Sequence, residues 1–516
     1  MKEVVKERLR SLRDALMAFS LANLCFIWAR SGLLFENDTV YYKQLALSRH
    51  ALLALALNIT LFGVVGWRLA RWVRRAQSRL LYRAACAVIG GLLFIPFDFL
   101  RVHYFGLMVS QIVPWIKNPF LIGSGLVLLF VVWRWPRRAL HVLAVVPMIL
   151  VPSVFITFGK IGYRIAKCRP DTHPKFATLY SIPKPAAQPR VIWIIFDETD
   201  QRLAFSNRPK DCLLPELDRL CAESLQATNA LPPGGSTLFS LPALITGRYI
   251  VKAQPATRSE LNITYGDTNA PVGWSTQPTV FSRARELGFN TAVVGWFHPY
   301  SRLFASCLNF CTWYPYPGHQ ANRDTTLLRS MITQIWSWSL ELQERRLMID
   351  HYRKSLEDSR GLVKDGRYGL VMLHLPGAHF PGIYNSTTGR LTLTSFSRTR
   401  GYFQNLQLTD KTMGILRRDM EQAGQWDRSW VIVSSDHWWR DARLYDGQLD
   451  YHIPFILKAP GRNPPITYSS PLNTVITKEL ILAILRKEVS TISEAVAWID
   501  THKPPPCPSY FIMDSK

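Results

Sequence analysis

The sequence predicts an N-terminal five-helix transmembrane bundle followed by an exported α/β sandwich domain built on a largely parallel sheet. Three observations carry that expectation. Apolar runs crowd into the first third of the 516 residues. The rest of the chain alternates strand-like and helix-like segments. Acidic, histidine and hydroxyl residues recur just past the strand-like segments, where parallel sheets collect functional groups.

The apolar runs are Ala15–Trp28, Ala51–Trp67, Ala84–Leu100, Phe120–Trp133 and Ala139–Phe158. Each lies near the roughly 20 residues that span a bilayer. As buried helices of a soluble domain they would leave almost no polar face. No cleavage pattern follows the first run, so it is expected to remain as an anchor. Lys2, Lys6, Arg8, Arg10 and Arg13 precede the first run; Arg68, Arg71, Arg74, Arg75, Arg79 and Arg83 follow the second; Arg134, Arg137 and Arg138 follow the fourth. If every run spans, all three basic segments share one side, which the positive-inside rule makes cytoplasmic. Everything after Phe158 then lies outside, which in a bacterium means a multi-pass inner-membrane protein with its C-terminal domain in the periplasm.

Charge and cysteines agree with export. Lys and Arg number 61 against 37 Asp and Glu, an excess that is partly topological and otherwise suits an anionic lipid or glycan surface. No aromatic-interleaved basic stripe points to nucleic acid. Cys25 and Cys86 lie in the apolar runs, whereas Cys168, Cys212, Cys221, Cys307, Cys311 and Cys507 would meet an oxidising compartment. Six cysteines can pair in fifteen ways; the short loops favour Cys307–Cys311 and Cys212–Cys221 as disulfides.

The transmembrane domain is therefore placed at 1–158. Over 159–190, Lys160, Arg164, Lys167 and Arg169 alternate with apolar residues as in a surface-lying helix, and Ser181–Pro189 reads as a Pro-rich linker. In the domain at 191–516, strands are expected at Val191–Phe196, Thr291–Trp296, Gly369–Leu375, Trp430–Ser435 and Ile453–Lys458. Helices are expected at Leu214–Ser224, Ser282–Leu287, Ser330–Leu356, Phe403–Ala423 and Leu472–Arg486.

The chemistry begins at Gly234-Gly235-Ser236-Thr237, a Gly-rich turn that delivers hydroxyls to the start of an apolar helix. Unpaired N–H groups and the positive end of the helix dipole suit a nucleophile attacking a phosphoryl or sulfuryl centre. Alone, the stretch reads equally as a capped helix. Val191–Phe196 runs into Asp197-Glu198-Thr199-Asp200, and Trp430–Ser435 into Asp436-His437; His452 precedes Ile453, and His379 follows the strand that ends near His374. Carboxylate, imidazole and hydroxyl together make a mixed site suited to zinc. Taken singly, a strand-end acid is more often a helix cap, and each histidine a structural one. Strand alternation lets only one of Asp197 and Glu198 line the site, and His374 is expected to pack near its strand end.

In this order the motifs resemble the alkaline phosphatase and sulfatase superfamily. They are closer still to the membrane-anchored, sulfatase-like phosphoethanolamine and phosphoglycerol transferases, which include lipid A phosphoethanolamine transferases and lipoteichoic acid synthases. Phe196-Asp-Glu-Thr-Asp resembles that family's strand ending in a metal-binding Glu, which selects Glu198. Thr237, nine residues before Thr246-Gly247, is similar to the nucleophile position. Asp436-His437 looks like the metal pair, although Trp438 stands where Gly usually follows. His379-Phe-Pro381 and His452-Ile-Pro454 look like substrate-binding histidines.

The resemblance implies one Zn2+ held by Glu198, Thr237, Asp436 and His437, with a second metal or Mn2+ as variants, and substrate contacts from His379 and His452. It implies transfer of a phospholipid head group through a phospho-threonine to an envelope glycolipid or glycan. Asp98 and Arg101 would either touch a head group or form a snorkelling ion pair. A membrane-tethered phosphodiesterase or sulfatase, and a metal-free binding module, are the competing readings. A formylglycine enzyme is disfavoured because Thr237 cannot be converted to that aldehyde.

Overall fold

Apolar length decides the first part of the chain. In a computed structural model that describes residues 2–35, 42, 47–105, 119–168, 175–179, 189–268, 270–316, 326–395 and 397–503, three helical segments are long and apolar enough to cross a membrane: Arg49–Ala76, Arg79–Phe105 and Pro136–Lys167. Lys2–Cys25 and Ile27–Phe35 make a fourth if the pair, bent by 70°, counts as one span. Among the described residues, three or four candidate spans thus stand where five were expected. The run at Phe120–Trp133 forms the helix Pro119–Arg134, whose 16 residues fall short of the roughly 20 a span needs. The run at Ala139–Phe158 continues through Pro152–Lys167, which carries Lys160, Arg164 and Lys167. Arg169, nearly all of the Ser181–Pro189 linker and Cys507 lie outside the described residues.

The chain divides into two compact units. One comprises Met1–Asn37, Leu45–Thr172 and Pro317–Glu344; the other comprises Asp38–Gln44, His173–Tyr316 and Arg345–Lys516. Within the first, Asp98 and Arg101 are buried and paired, Arg101 Nε donating to Asp98 Oδ1 at 3.0 Å, with Glu341 3.9 Å from the same guanidinium.

The second unit is an α/β sandwich on an eight-stranded sheet. In chain order its strands are β1 (Val191–Phe196), β2 (Leu225–Ala227), β3 (Thr291–Trp296), β4 (Phe310–Tyr314), β5 (Leu370–Leu375), β6 (Trp430–Ser434), β7 (Phe455–Lys458) and β8 (Ile466–Tyr468). They lie in the order β8-β2-β7-β6-β1-β5-β3-β4. The pairs β1–β6, β1–β5, β5–β3, β3–β4 and β2–β8 are parallel, whereas β7 runs antiparallel to both β6 and β2.

Central β1 is buried at all six positions, as a parallel strand covered on both faces must be. Its alternation separates two cores. Val191, Trp193 and Ile195 join the core that includes Leu241, Leu244 and Ile245 of the helix Thr237–Thr246. Ile192, Ile194 and Phe196 join the core that includes Tyr402 and Trp439. β5 obeys the same alternation: Leu370 and Met372 face the first core, Val371 and Leu373 the second.

The expected disulfides are absent. Cys212, Cys221, Cys307 and Cys311 are all free thiols. Burial pushes Cys212 and Cys221 up to about 12 and Cys307 up to about 11, so none readily yields the thiolate that disulfide formation requires. Cys307 instead donates to the Phe304 carbonyl at 3.3 Å.

Candidate active site and metal centre

β1 ends at Phe196, so its alternation does not govern the turn that follows, and both acids are buried beside the loop after β6. Asp197 Oδ1 lies 3.4 Å from His437 Nε2, and the Glu198 N–H donates to Asp436 Oδ1 at 3.4 Å. Glu198 makes that turn in the left-handed region at φ +58°. Its Oε1 accepts from Arg440 Nε at 3.2 Å and Nη2 at 3.1 Å. Burial alone would raise the Glu198 carboxyl, but His379, His437 and Arg440 outweigh it and hold it below its usual value.

Asp197, Asp436 and His374 converge. One ligand atom from each lies within 4.8 Å of the others, and all three residues are buried. Each side chain has one atom tied and one bare. Asp197 Oδ2 accepts from Trp296 Nε1 at 2.8 Å. Asp436 Oδ1 accepts the main-chain N–H of His437 at 2.9 Å and of Glu198 at 3.4 Å. His374 Nδ1 lies 2.9 Å from the Tyr300 hydroxyl. The remaining atoms, Asp197 Oδ1, Asp436 Oδ2 and His374 Nε2, have no hydrogen-bond partner.

Burial, with Asp436 and Glu198 nearby, pushes the Asp197 carboxyl well up. Burial would raise Asp436 too, but the neighbouring His437 and His374 bring it down. Burial lowers His374 to about 4, so its ring is neutral. Two buried carboxylates and a neutral imidazole with bare, converging atoms are the donor set a divalent cation satisfies. The residues present therefore fit one.

His437 borders this group. Its Nε2 is 3.4 Å from Asp197 Oδ1, 3.6 Å from Asp436 Oδ2 and 3.5 Å from Thr237 Oγ1. Its Nδ1 lies 2.8 Å from the Trp438 carbonyl, which can only accept. In the neutral ring, Nε2 therefore keeps its lone pair, aimed at the hydroxyl and the carboxylates. Ser435 braces the loop, its hydroxyl donating to the His437 carbonyl at 2.7 Å and accepting the Thr199 N–H at 2.9 Å.

Thr237 is buried at the first position of its helix, where first-turn N–H groups lack intrahelical partners. The turn before it requires Gly234: a Cβ there would stand 2.9 Å from that of Phe239. The Ser240 hydroxyl closes the turn by donating to the Gly234 carbonyl at 2.8 Å.

His379 reaches the same region through the loop after β5. Gly377 makes this possible at φ +53°, with a Cβ position only 2.5 Å from the Asp197 carbonyl oxygen. Asn405 Nδ2 donates to the His379 carbonyl at 2.8 Å and to that of Pro381 at 3.1 Å, fixing the loop. Burial lowers His379, with Glu198 opposing.

His452 lies beside the segment after β1, its carbonyl accepting the Gln201 N–H at 3.1 Å. Its Nδ1 lies 2.6 Å from Asp450 Oδ1 and its Nε2 2.8 Å from Asn229 Oδ1. The structure thus gathers Thr237, Asp436 and His437, sets Glu198 and His379 beside Arg440, and gives His452 the partners Asp450 and Asn229. Sequence reasoning passed over Arg440 and set His374 aside as a packing residue.

The Sulfatase family matches residues 189–481. An ulvan-active sulfatase of Formosa agariphila is 21% identical over 391 residues, covering 67% of this chain and 68% of that protein. Among solved structures, the phosphonate monoester hydrolase of Agrobacterium radiobacter superposes with a TM-score of 0.40 at 12% identity, over 58% of this chain and 74% of its own. The lipoteichoic acid synthase LtaP of Listeria monocytogenes does so with a TM-score of 0.39 at 15% identity, over 60% and 75%. The chain belongs to the sulfatase family, whose superfamily comprises phosphoryl- and sulfuryl-transferring enzymes that typically use a divalent metal.

Proposed function

We propose that this protein is a membrane-anchored phosphotransferase that moves a phospholipid head group, phosphoethanolamine or phosphoglycerol, to an envelope glycolipid or glycan. The observation that carries the reading is the Thr237 hydroxyl at a helix start, 3.5 Å from His437 Nε2, on a chain that also holds apolar helices long enough to span a bilayer. A threonine in this place supports direct nucleophilic attack, because formylglycine cannot form from it.

Asp197, His374 and Asp436 would hold the cation, with His437 and Thr237 at its edge and Glu198 in reach of the group; zinc suits the nitrogen and oxygen donors. When bound, the cation lowers the pKa of a neighbouring hydroxyl and offsets charge on phosphoryl oxygens. Thr237 Oγ1 gives its proton to His437 Nε2 and attacks the phosphorus of the donor in line; the P–O bond to diacylglycerol breaks, and the leaving oxygen takes that proton. The phosphoester left on Thr237 carries the head-group alcohol. The acceptor hydroxyl then gives its proton to His437 and attacks the same phosphorus, and Thr237 leaves, taking the proton back as its hydroxyl. His379 and Arg440 supply donors for phosphoryl oxygens as charge develops, and His452 supports the neighbouring loop. The topology that suits this reaction has the catalytic unit in the periplasm and the basic loops in the cytoplasm.

Intact mass of the full-length protein after incubation with phosphatidylethanolamine or phosphatidylglycerol tests the proposal. An adduct of phosphoethanolamine or phosphoglycerol mass, lost in Thr237→Ala, is the expected result. A second reading, a membrane-tethered hydrolase of phosphodiesters or sulfate esters, draws support from the relationship to the ulvan-active sulfatase. Turnover of a sulfate ester or aryl phosphodiester without any lipid-derived adduct would replace the first reading with the second.

A further inference from the structure

Against the main chain of Thr237 lies another buried histidine, His298. β3 ends at Trp296, and Phe297 follows at φ +68°, a left-handed conformation that is costly for a bulky side chain. Two main-chain bonds hold it there: Phe297 N–H to the Tyr314 carbonyl at 2.9 Å, and His298 N–H to the Trp296 carbonyl at 2.8 Å. The turn carries the His298 ring into the core, where it is fully buried. The rings of Trp274 and Phe297 stand edge-on to it, each with its centroid 5.0 Å away.

Both nitrogens of that ring are engaged. Nε2 lies 3.1 Å from the main-chain carbonyl of Thr237. Nδ1 lies 3.0 Å from the hydroxyl of Tyr42, itself fully buried. A carbonyl only accepts, so Nε2 carries the proton; in the neutral ring Nδ1 is then an acceptor, and the Tyr42 hydroxyl donates. The bonds run in one direction, from Tyr42 through His298 to the first peptide of the Thr237 helix. Tyr42 stands between Ile27–Phe35 and Arg49–Ala76 in the sequence, yet it belongs to the same unit as His298 and Thr237. Neither residue belongs to the Asp197, His374 and Asp436 group.

We propose that Tyr42 and His298 are positioning residues for the Thr237 nucleophile. The helix begins with the Ser236 carbonyl, which accepts the Ser240 N–H at 2.9 Å. The Thr237 carbonyl is the next along, and the His298 donor on it fixes the rotation of that peptide and with it the direction of Cβ and Oγ1. The 3.5 Å approach of Oγ1 to His437 Nε2 depends on that direction. This role rests on Thr237 being the nucleophile.

The test uses full-length, metal-loaded protein in detergent and three variants: Tyr42→Phe, His298→Leu and His298→Gln, the last keeping a donor at the Nε2 position. Amide hydrogen exchange across residues 234–246 is the readout independent of chemistry. Tyr42→Phe and His298→Leu are expected to speed exchange there about five- to tenfold, the effect of one buried hydrogen bond. Residues 477–485 stay unchanged, and His298→Gln restores most of the protection. On bis(4-nitrophenyl) phosphate the same variants lower kcat with little change in KM. Unchanged exchange at 234–246, or exchange that rises everywhere as the melting temperature falls, overturns the proposal. Wild-type protein that neither forms an adduct nor turns over the diester would defeat the phosphotransferase reading, while the exchange result still decides the hydrogen-bond chain.

Discussion

The hydroxyl of Thr237 and the Nε2 of His437 stand 3.5 Å apart although 200 positions separate them in the sequence. The helix start supplies one and the loop after β6 supplies the other. If Thr237 is the attacking group, Thr237→Ala should lower turnover by at least about three orders of magnitude, as loss of a nucleophile does in other enzymes that act through one. Thr237→Ser, which keeps the oxygen, should retain far more. Equal activity of the wild type and the alanine variant would show that the oxygen takes no part.

Arg440 holds the same Glu198 oxygen that a cation would seek. Arg440→Ala should therefore tighten Zn2+ binding by about two- to fivefold, the effect of removing a half-exposed ion pair. Isothermal titration of the metal-free protein measures this. Weaker binding in the variant would mean that Arg440 aims Glu198 at the metal rather than competing for it.

Gly377 sits where a Cβ would stand 2.5 Å from the Asp197 carbonyl oxygen, at φ +53°. Gly377→Ala should cost about 1–3 kcal/mol from the backbone conformation alone, read by denaturant unfolding. Because the displaced neighbour is Asp197, metal affinity should fall in the same variant. Stability lost without any loss of metal affinity would separate the loop from the centre.

The Asp450 hydrogen bond raises His452, and burial opposes it. A raised imidazole adds stability that is complete below the unfolded value near 6.5 and disappears as pH climbs through the folded value. Asp450→Asn should therefore lower the melting temperature more at pH 6 than at pH 8.5. A deficit that is constant across that range would show that the pair contributes through geometry and not through charge.

The central architecture was legible because β1, β3, β5 and β6 are short, mostly apolar runs, interrupted by polar residues only at Thr291, His374 and Ser434, the pattern of a sheet covered on both faces. β2, β4 and β8 were not. β2 and β8 have three residues each, and β4, though longer, is only partly buried at four of its five positions, so none shows the apolar run that marks a covered strand. The alternation rule showed that only one of Asp197 and Glu198 could face a given side. The left-handed turn at Glu198 ends that alternation, and both acids come to lie near His437, a placement that no local pattern carries. His374 read as a packing histidine because its bare Nε2 becomes visible only when Asp197 and Asp436 arrive beside it. The cysteine expectation failed because Cys212, Cys221, Cys307 and Cys311 remain free thiols, which short spacing in the sequence does not reveal.

Tyr42 has a practical consequence for anyone who studies the catalytic unit in isolation. A soluble fragment cut at the Pro-rich segment before β1 omits a side chain that is fully buried among the residues it retains. Such an excision amounts to a large-to-small core substitution, which costs on the order of 3–5 kcal/mol for an aromatic residue. It also strips His298 Nδ1 of its donor. Sluggish turnover by the fragment would then report a missing piece of its own core rather than the absence of lipid.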